Sequence, residues 1–150
     1  MGLVDGARRT IPVALLGLLM VACGGAGDST KGSASASSLQ WERDLGAALG
    51  RASSQDKIVM VDFYTDWCLW CKKLDQSTFA DPEVRRALAA VVPVKLNAEK
   101  DGRREAEHFN IEDYPTIVFL DARGKEISRV PGFMPARPFL EELRDALRRT

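Results

Sequence analysis

Histidine is almost missing from this chain: His108 is the only one in 150 residues. Cysteine is nearly as scarce, at positions 23, 68 and 71 only. A zinc centre normally takes four ligands, and a Cys-x-x-Cys pair supplies two. With one histidine and a distant third cysteine, the sequence has little with which to complete such a site. An excess of either charge is also absent, with 21 Lys and Arg against 21 Asp and Glu, so nothing marks a nucleic-acid surface. The longest apolar stretch, residues 11–22, is too short to span a bilayer comfortably. No internal repeat is visible.

The amino-terminal part has its own pattern. Arg8 and Arg9 precede the apolar stretch, and Met20-Val21-Ala22 leads into Cys23. A charged start, a short hydrophobic segment and small residues describe a secretory signal. The last four residues resemble the lipobox of bacterial lipoproteins, with methionine where leucine is usual. The expectation is a signal peptide over 1–22, lipid on Cys23, a Gly/Ser/Ala/Thr tether over 23–38, and one domain over 39–150. That places the domain outside the cytoplasm, anchored by lipid on the periplasmic side of a bacterial membrane. If Cys23 carries lipid, only Cys68 and Cys71 remain. An exported domain of this kind has no structural disulfide, and its one possible bridge is the close pair.

The pattern over 39–150 predicts an α/β domain. Trp41, Leu45, Ala48 and Leu49 fall at helical spacing and predict a helix over 39–52, followed by a turn over 53–57. Residues 58–64 are nearly all apolar, as in a central strand buried on both faces. A helix is expected from Cys68 to about Thr78, and another from Asp81 with Pro82 in its first turn. Strands follow at 91–96, 116–120 and 126–130, with a polar helix over 101–109 and a closing amphipathic helix over 135–149. The first crossover implies parallel strands and the last two strands form a hairpin. The result is a mixed sheet with helices on both faces.

Two thiols three residues apart at the start of a helix can form a reversible disulfide. Free N–H groups and the helix dipole there favour a thiolate, and Cys71, one turn further in, is expected to be the better shielded. Asp62 stands inside the most apolar strand, where a carboxylate is costly unless something pairs with it or uses it. His108 and the run Arg103-Arg104-Glu105 read as solvated surface.

Several segments together carry a resemblance. Val61-Asp62-Phe63-Tyr64, Trp67-Cys68-Leu69-Trp70-Cys71-Lys72, Val94-Lys95-Leu96-Asn97, Tyr114-Pro115-Thr116 and Gly132 resemble the thioredoxin superfamily. Asp66-Trp67-Cys68, 78–84 and Gly132-Phe133-Met134 resemble most the C-terminal periplasmic domain of DsbD-type thiol:disulfide interchange proteins. The resemblance implies a thioredoxin fold, no cofactor, and disulfide-bearing client proteins as substrates. It implies that Cys68 and Cys71 form the redox-active disulfide and that Asp62, raised in pKa by burial, exchanges a proton with the second cysteine. Lys95 matches a lysine near that acid. Pro115 matches a cis-proline facing the disulfide, Tyr114 would pair its backbone with a substrate peptide, and Trp67 would shield the site. Trp70 stands either as a docking surface or as packing on Tyr64 or Phe133.

The resemblance favours a monomeric protein-disulfide reductase fed by a membrane electron donor on a separate chain. An oxidant or isomerase of exported proteins, and a non-catalytic binding module with idle cysteines, stand as alternatives.

Overall fold

The computed structural model describes residues 39–150. The expected signal peptide over 1–22, lipid attachment at Cys23 and tether over 23–38 lie outside the described residues. Among the described residues, no helix is long and apolar enough to cross a membrane.

The elements run α1 (Leu45–Gln55), β1 (Ile58–Tyr64), α2 (Leu69–Gln76), α3 (Pro82–Ala87), a 3-10 turn (Leu88–Ala90), β2 (Val91–Asn97), α4 (Arg103–His108), β3 (Thr116–Leu120), β4 (Glu126–Pro131) and α5 (Ala136–Arg148). The sheet order is β2-β1-β3-β4. β1 runs parallel to β2 and antiparallel to β3, and β3 and β4 form the hairpin.

Strand alternation divides the core into two layers. Val59, Val61 and Phe63 of β1 join Val92, Val94 and Leu96 of β2 on the face covered by α1 and α4. Ile58 and Met60 join Val91, Ile117 and Phe119 on the face covered by α2, α3 and α5. By the same alternation Asp62 and Lys95 belong to the second face, and they are register partners across β1 and β2.

Local chemistry fixes the helix ends. The Asp81 carboxylate accepts from the N–H groups of Glu83 (2.8 Å) and Val84 (3.1 Å), and Pro82 opens α3 where no N–H is needed. Asp44 caps α1 through the Ala47 N–H at 2.6 Å.

Here the structure departs from the sequence expectation. The helix begins at Leu45, not at 39, and runs through most of the expected turn to Gln55. Trp41 is not on it. Glu42 instead bridges to Val94, its N–H bonding to the Pro93 carbonyl at 2.9 Å and its carbonyl accepting from Lys95 N–H at 3.0 Å. An apolar residue just before a helix has the same spacing whether it continues the helix or packs from an extended segment. α2 and α4 are also shorter than expected, beginning at Leu69 and Arg103.

Gly102 makes a close approach. A Cβ there would lie 2.5 Å from Leu96 Cβ, an atom with no freedom to swing aside. Gly102→Ala is therefore expected to lower stability by about 1–3 kcal/mol, the usual cost of overpacking. A urea-unfolding midpoint equal to the parent's would show that the turn simply shifts.

Candidate active site

β1 delivers the chain to the turn Thr65-Asp66-Trp67, and Cys68 caps α2. Its Sγ accepts the Cys71 N–H at 3.0 Å, taking the place that a hydroxyl or carboxylate oxygen usually fills. Cys68 and Cys71 are joined in a disulfide, with S–S 2.12 Å and Cα atoms 5.3 Å apart. Both residues are 3% exposed. The expectation that Cys71 is the better shielded does not hold in this bonded form, because the bridge folds the Cys68 sulfur back against the first turn. An N–H aimed at that sulfur, at the positive end of a helix, is the arrangement that stabilises a thiolate once the bridge opens.

Asp62 is fully buried. Its Oδ2 accepts from Lys95 Nζ at 2.8 Å, while Oδ1 has no protein hydrogen-bond partner. Burial pushes the Asp62 carboxyl above its ordinary range; the attraction of Lys95 opposes this and is outweighed. Lys95 is pulled down by its own burial, but Asp62 and Asp75 together hold it above the usual lysine value. Its ammonium also reaches Asp75 of α2, which is half-exposed. One cation thus serves two carboxylates, one of them fully buried.

Asp75 was not singled out by sequence reasoning. A signal was available: Cys71 and Asp75 are four apart on α2 and so share a face.

The rim is aromatic. Trp67, Leu69 and Trp70 are 64%, 76% and 60% exposed. Trp67 sets its edge on Tyr114, centroids 6.1 Å apart, and its Nε1 donates to Glu99 at 3.0 Å. Trp70 packs on Phe133 at 5.5 Å, so it contacts one of the two residues expected and still presents most of its surface. The Tyr114–Pro115 bond is cis, Pro115 is buried, and the Pro115 carbonyl accepts from Gly132 N–H at 2.7 Å. Gly132 has φ 77°, the left-handed region that glycine enters without cost.

The turn before Cys68 is tied down from the far side. Asp66 accepts from Asn97 Nδ2 at 2.9 Å and pairs with Lys100 at 2.6 Å. The Lys100 hydrogen bond holds the Asp66 carboxyl below the usual range. His108 is exposed on α4, as expected of a surface residue.

The thioredoxin-like domain family matches residues 45–147. Over 107 residues the chain is 40% identical to the thiol:disulfide interchange protein DsbD of Escherichia coli K12, covering 68% of this chain and 19% of that protein. The chain therefore spans about a fifth of the length of the curated relatives it matches. A thioredoxin from Thermus thermophilus, solved in solution, aligns at 30% identity and TM-score 0.66, covering 73% of this chain and 87% of that one. The oxidised DsbD C-terminal domain of Neisseria meningitidis aligns at 24% identity and TM-score 0.61, covering 71% and 99%; this last is a likeness of fold.

Proposed function

We propose, from the premise that the chain belongs to the thioredoxin-like family, that it is a thiol:disulfide oxidoreductase that reduces disulfides in client proteins outside the cytoplasm. The observation that carries this reading is the Cys68 sulfur itself. It is at once half of a disulfide and the cap of α2, and the helix it caps carries Asp75 to the Lys95–Asp62 pair.

In this reading the cycle has two attacks. With the bridge reduced, the Cys68 thiolate attacks one sulfur of a client disulfide; the client's other sulfur leaves as a thiolate and takes a proton. Asp62, ionised, accepts the Cys71 thiol proton on Oδ1. The Cys71 thiolate attacks the Cys68 sulfur, the second client thiolate leaves, and the Cys68–Cys71 bridge is restored. Two electrons pass to the client, and a separate membrane-borne donor returns them. The exposed Trp67, Trp70 and Tyr114 surface receives the client, with Pro115 at its edge.

The 40% identity to a protein named for thiol:disulfide interchange supports exchange chemistry. The reducing direction, the lipid anchor at Cys23, the periplasmic location and the monomeric state belong to the same proposal. They are supported by the DsbD likeness and the amino-terminal sequence pattern.

The reduction potential tests the direction. The protein would be equilibrated in dithiothreitol or glutathione buffers and followed by tryptophan fluorescence. A value near that of thioredoxin, about −270 mV, or modestly above it, is expected. A value near about −120 mV is that of a strong oxidant and would overturn the reductase reading in favour of an oxidant of exported proteins.

A further inference from the structure

The residues just before α1 have no part in the exchange chemistry, yet they close the far side of its charged pair. Glu42 is stitched to β2 by two backbone bonds, one to the Pro93 carbonyl and one from the Lys95 amide. This bridge covers β2 on its outer edge, where an unpaired strand edge would otherwise face water. One residue earlier, the Trp41 ring lies 5.3 Å from Lys95 Nζ and meets Phe79 edge-on at 5.0 Å. Arg43 continues the segment, donating to the Tyr64 hydroxyl at 3.2 Å. The Tyr64 ring is itself 5.1 Å from the same ammonium. Trp41, Tyr64 and Phe79 thus wall much of the Lys95 ammonium that does not meet a carboxylate, an arrangement that holds a cation in place.

We propose that residues 39–44 form a strap that seals the rear of the Asp62–Lys95 pair, with Trp41 the positioning residue that keeps water from reaching Asp62 past the Lys95 ammonium. A cavity of ≈350 Å³ opens beside the pair, lined by Leu39, Trp41, Asp75, Phe79, Arg85 and Lys95. Two of its six lining residues come from the strap. Lifting the strap widens this cavity onto Lys95 and lets water reach a carboxylate that is now fully buried.

The charged groups set against the pair are Asp75 from α2 and, across the cavity, Arg85 from α3, while Arg43 of the strap is held on the Tyr64 hydroxyl, whose ring faces Lys95. The Glu42 carboxylate is turned away onto Arg51 at 2.6 Å. The Asp44 carboxylate is turned onto the Ala47 N–H at 2.6 Å, so neither acidic side chain of the strap is bonded to the pair. The strap acts through burial, and burial is the leading cause of the raised Asp62 carboxyl.

The inference rests on Asp62 being the proton acceptor of the exchange reaction, so its test reads Asp62 directly. The Asp62 carboxyl carbon would be titrated by NMR in the oxidised full chain, with hydrogen exchange at the Lys95 amide followed in parallel. In Trp41→Ala the Asp62 midpoint is expected to move to lower pH. Exchange at Lys95 is expected to quicken about tenfold, equivalent to about 1.4 kcal/mol of local stability. Trp41→Phe, which keeps an aromatic face over the ammonium, is expected to restore the parent midpoint.

A merely structural tryptophan would lower the unfolding midpoint and leave the Asp62 titration where it is; that result, or equal shifts in the Ala and Phe variants, overturns the proposal. Should Trp41→Ala fail to fold, Glu42→Pro read against Glu42→Ala gives the same reading, because both lose the Arg51 pair and only the proline also loses the N–H that bonds to Pro93. A parent protein that reduces no disulfide while Trp41→Ala still moves the Asp62 midpoint would sink the functional reading and leave the strap standing.

Discussion

Replacing Cys71 with serine is expected to strand the protein on its clients. The variant keeps the Cys68 sulfur and the N–H that points at it, because that N–H belongs to the backbone of residue 71. Attack on a client disulfide therefore proceeds. What is lost is the second attack. The two sulfurs are within bonding reach, as the disulfide shows, and a well-oriented neighbouring group acts at an effective concentration of about 10⁵ M or more. A serine hydroxyl cannot replace it, since it is neither ionised near pH 7 nor able to form a disulfide. Release then depends on bulk thiol, and the mixed disulfide is expected to live at least about 10³-fold longer. Non-reducing electrophoresis against a model disulfide-bearing protein, quenched by acid at intervals, checks this. A variant that releases its client at the parent's rate rules out Cys71 as the resolving thiol. The mirror variant, Cys68→Ser, is expected to form no adduct.

The sheet was legible in the sequence because its signals are local. Residues 58–64 and 116–120 are nearly all apolar, as suits a strand covered on both faces, and both strands fall where expected. The Asp81-Pro82 start of α3 was legible for a similar reason: the cap and the proline act within one turn. Trp41 was misplaced because its partners, Lys95 and Phe79, are distant in sequence. Periodicity registers that a residue is apolar; it does not register against what.

The charged cluster divides in the same way. Asp62 stood out as a carboxylate in an apolar strand. Lys95 was marked by family resemblance alone, and strand alternation explains why it meets Asp62: both occupy the same face of adjacent strands in matched register. Asp75 carries no local oddity, being one polar residue on a polar helix. It became visible only when α2 was laid over β2. It matters nonetheless, since it decides how the charge of Lys95 is shared.

That sharing governs the second large effect. Asp62→Asn is expected to make the protein more stable at neutral pH and slower in exchange. Removing one partner of a buried ion pair usually costs about 3–5 kcal/mol, because the other charge is left uncompensated. Here Lys95 keeps Asp75, so the penalty is relieved. Burial makes the charged form of Asp62 costlier than it is in water, and asparagine matches the neutral form in shape.

The sign follows from linkage. The carboxyl of Asp62 is raised in the folded state, mainly by burial. The folded protein then binds more protons than the unfolded chain between the two pKa values, and stability falls as pH rises through that window. Below the unfolded carboxylate value, parent and variant should differ little. Above the folded value the full cost is present, at about 1.4 kcal/mol for each unit of displacement. The variant is expected to melt above the parent at pH 8, by a margin that shrinks towards pH 3. The resolving step loses its proton acceptor and is expected to slow about 10²-fold at pH 7. Thermal unfolding of both proteins across pH 3–8, with rapid-quench measurement of client release, decides the matter. If the asparagine variant is the less stable at pH 8, the Lys95–Asp62 attraction outweighs burial and Asp62 is an ordinary structural ion-pair partner.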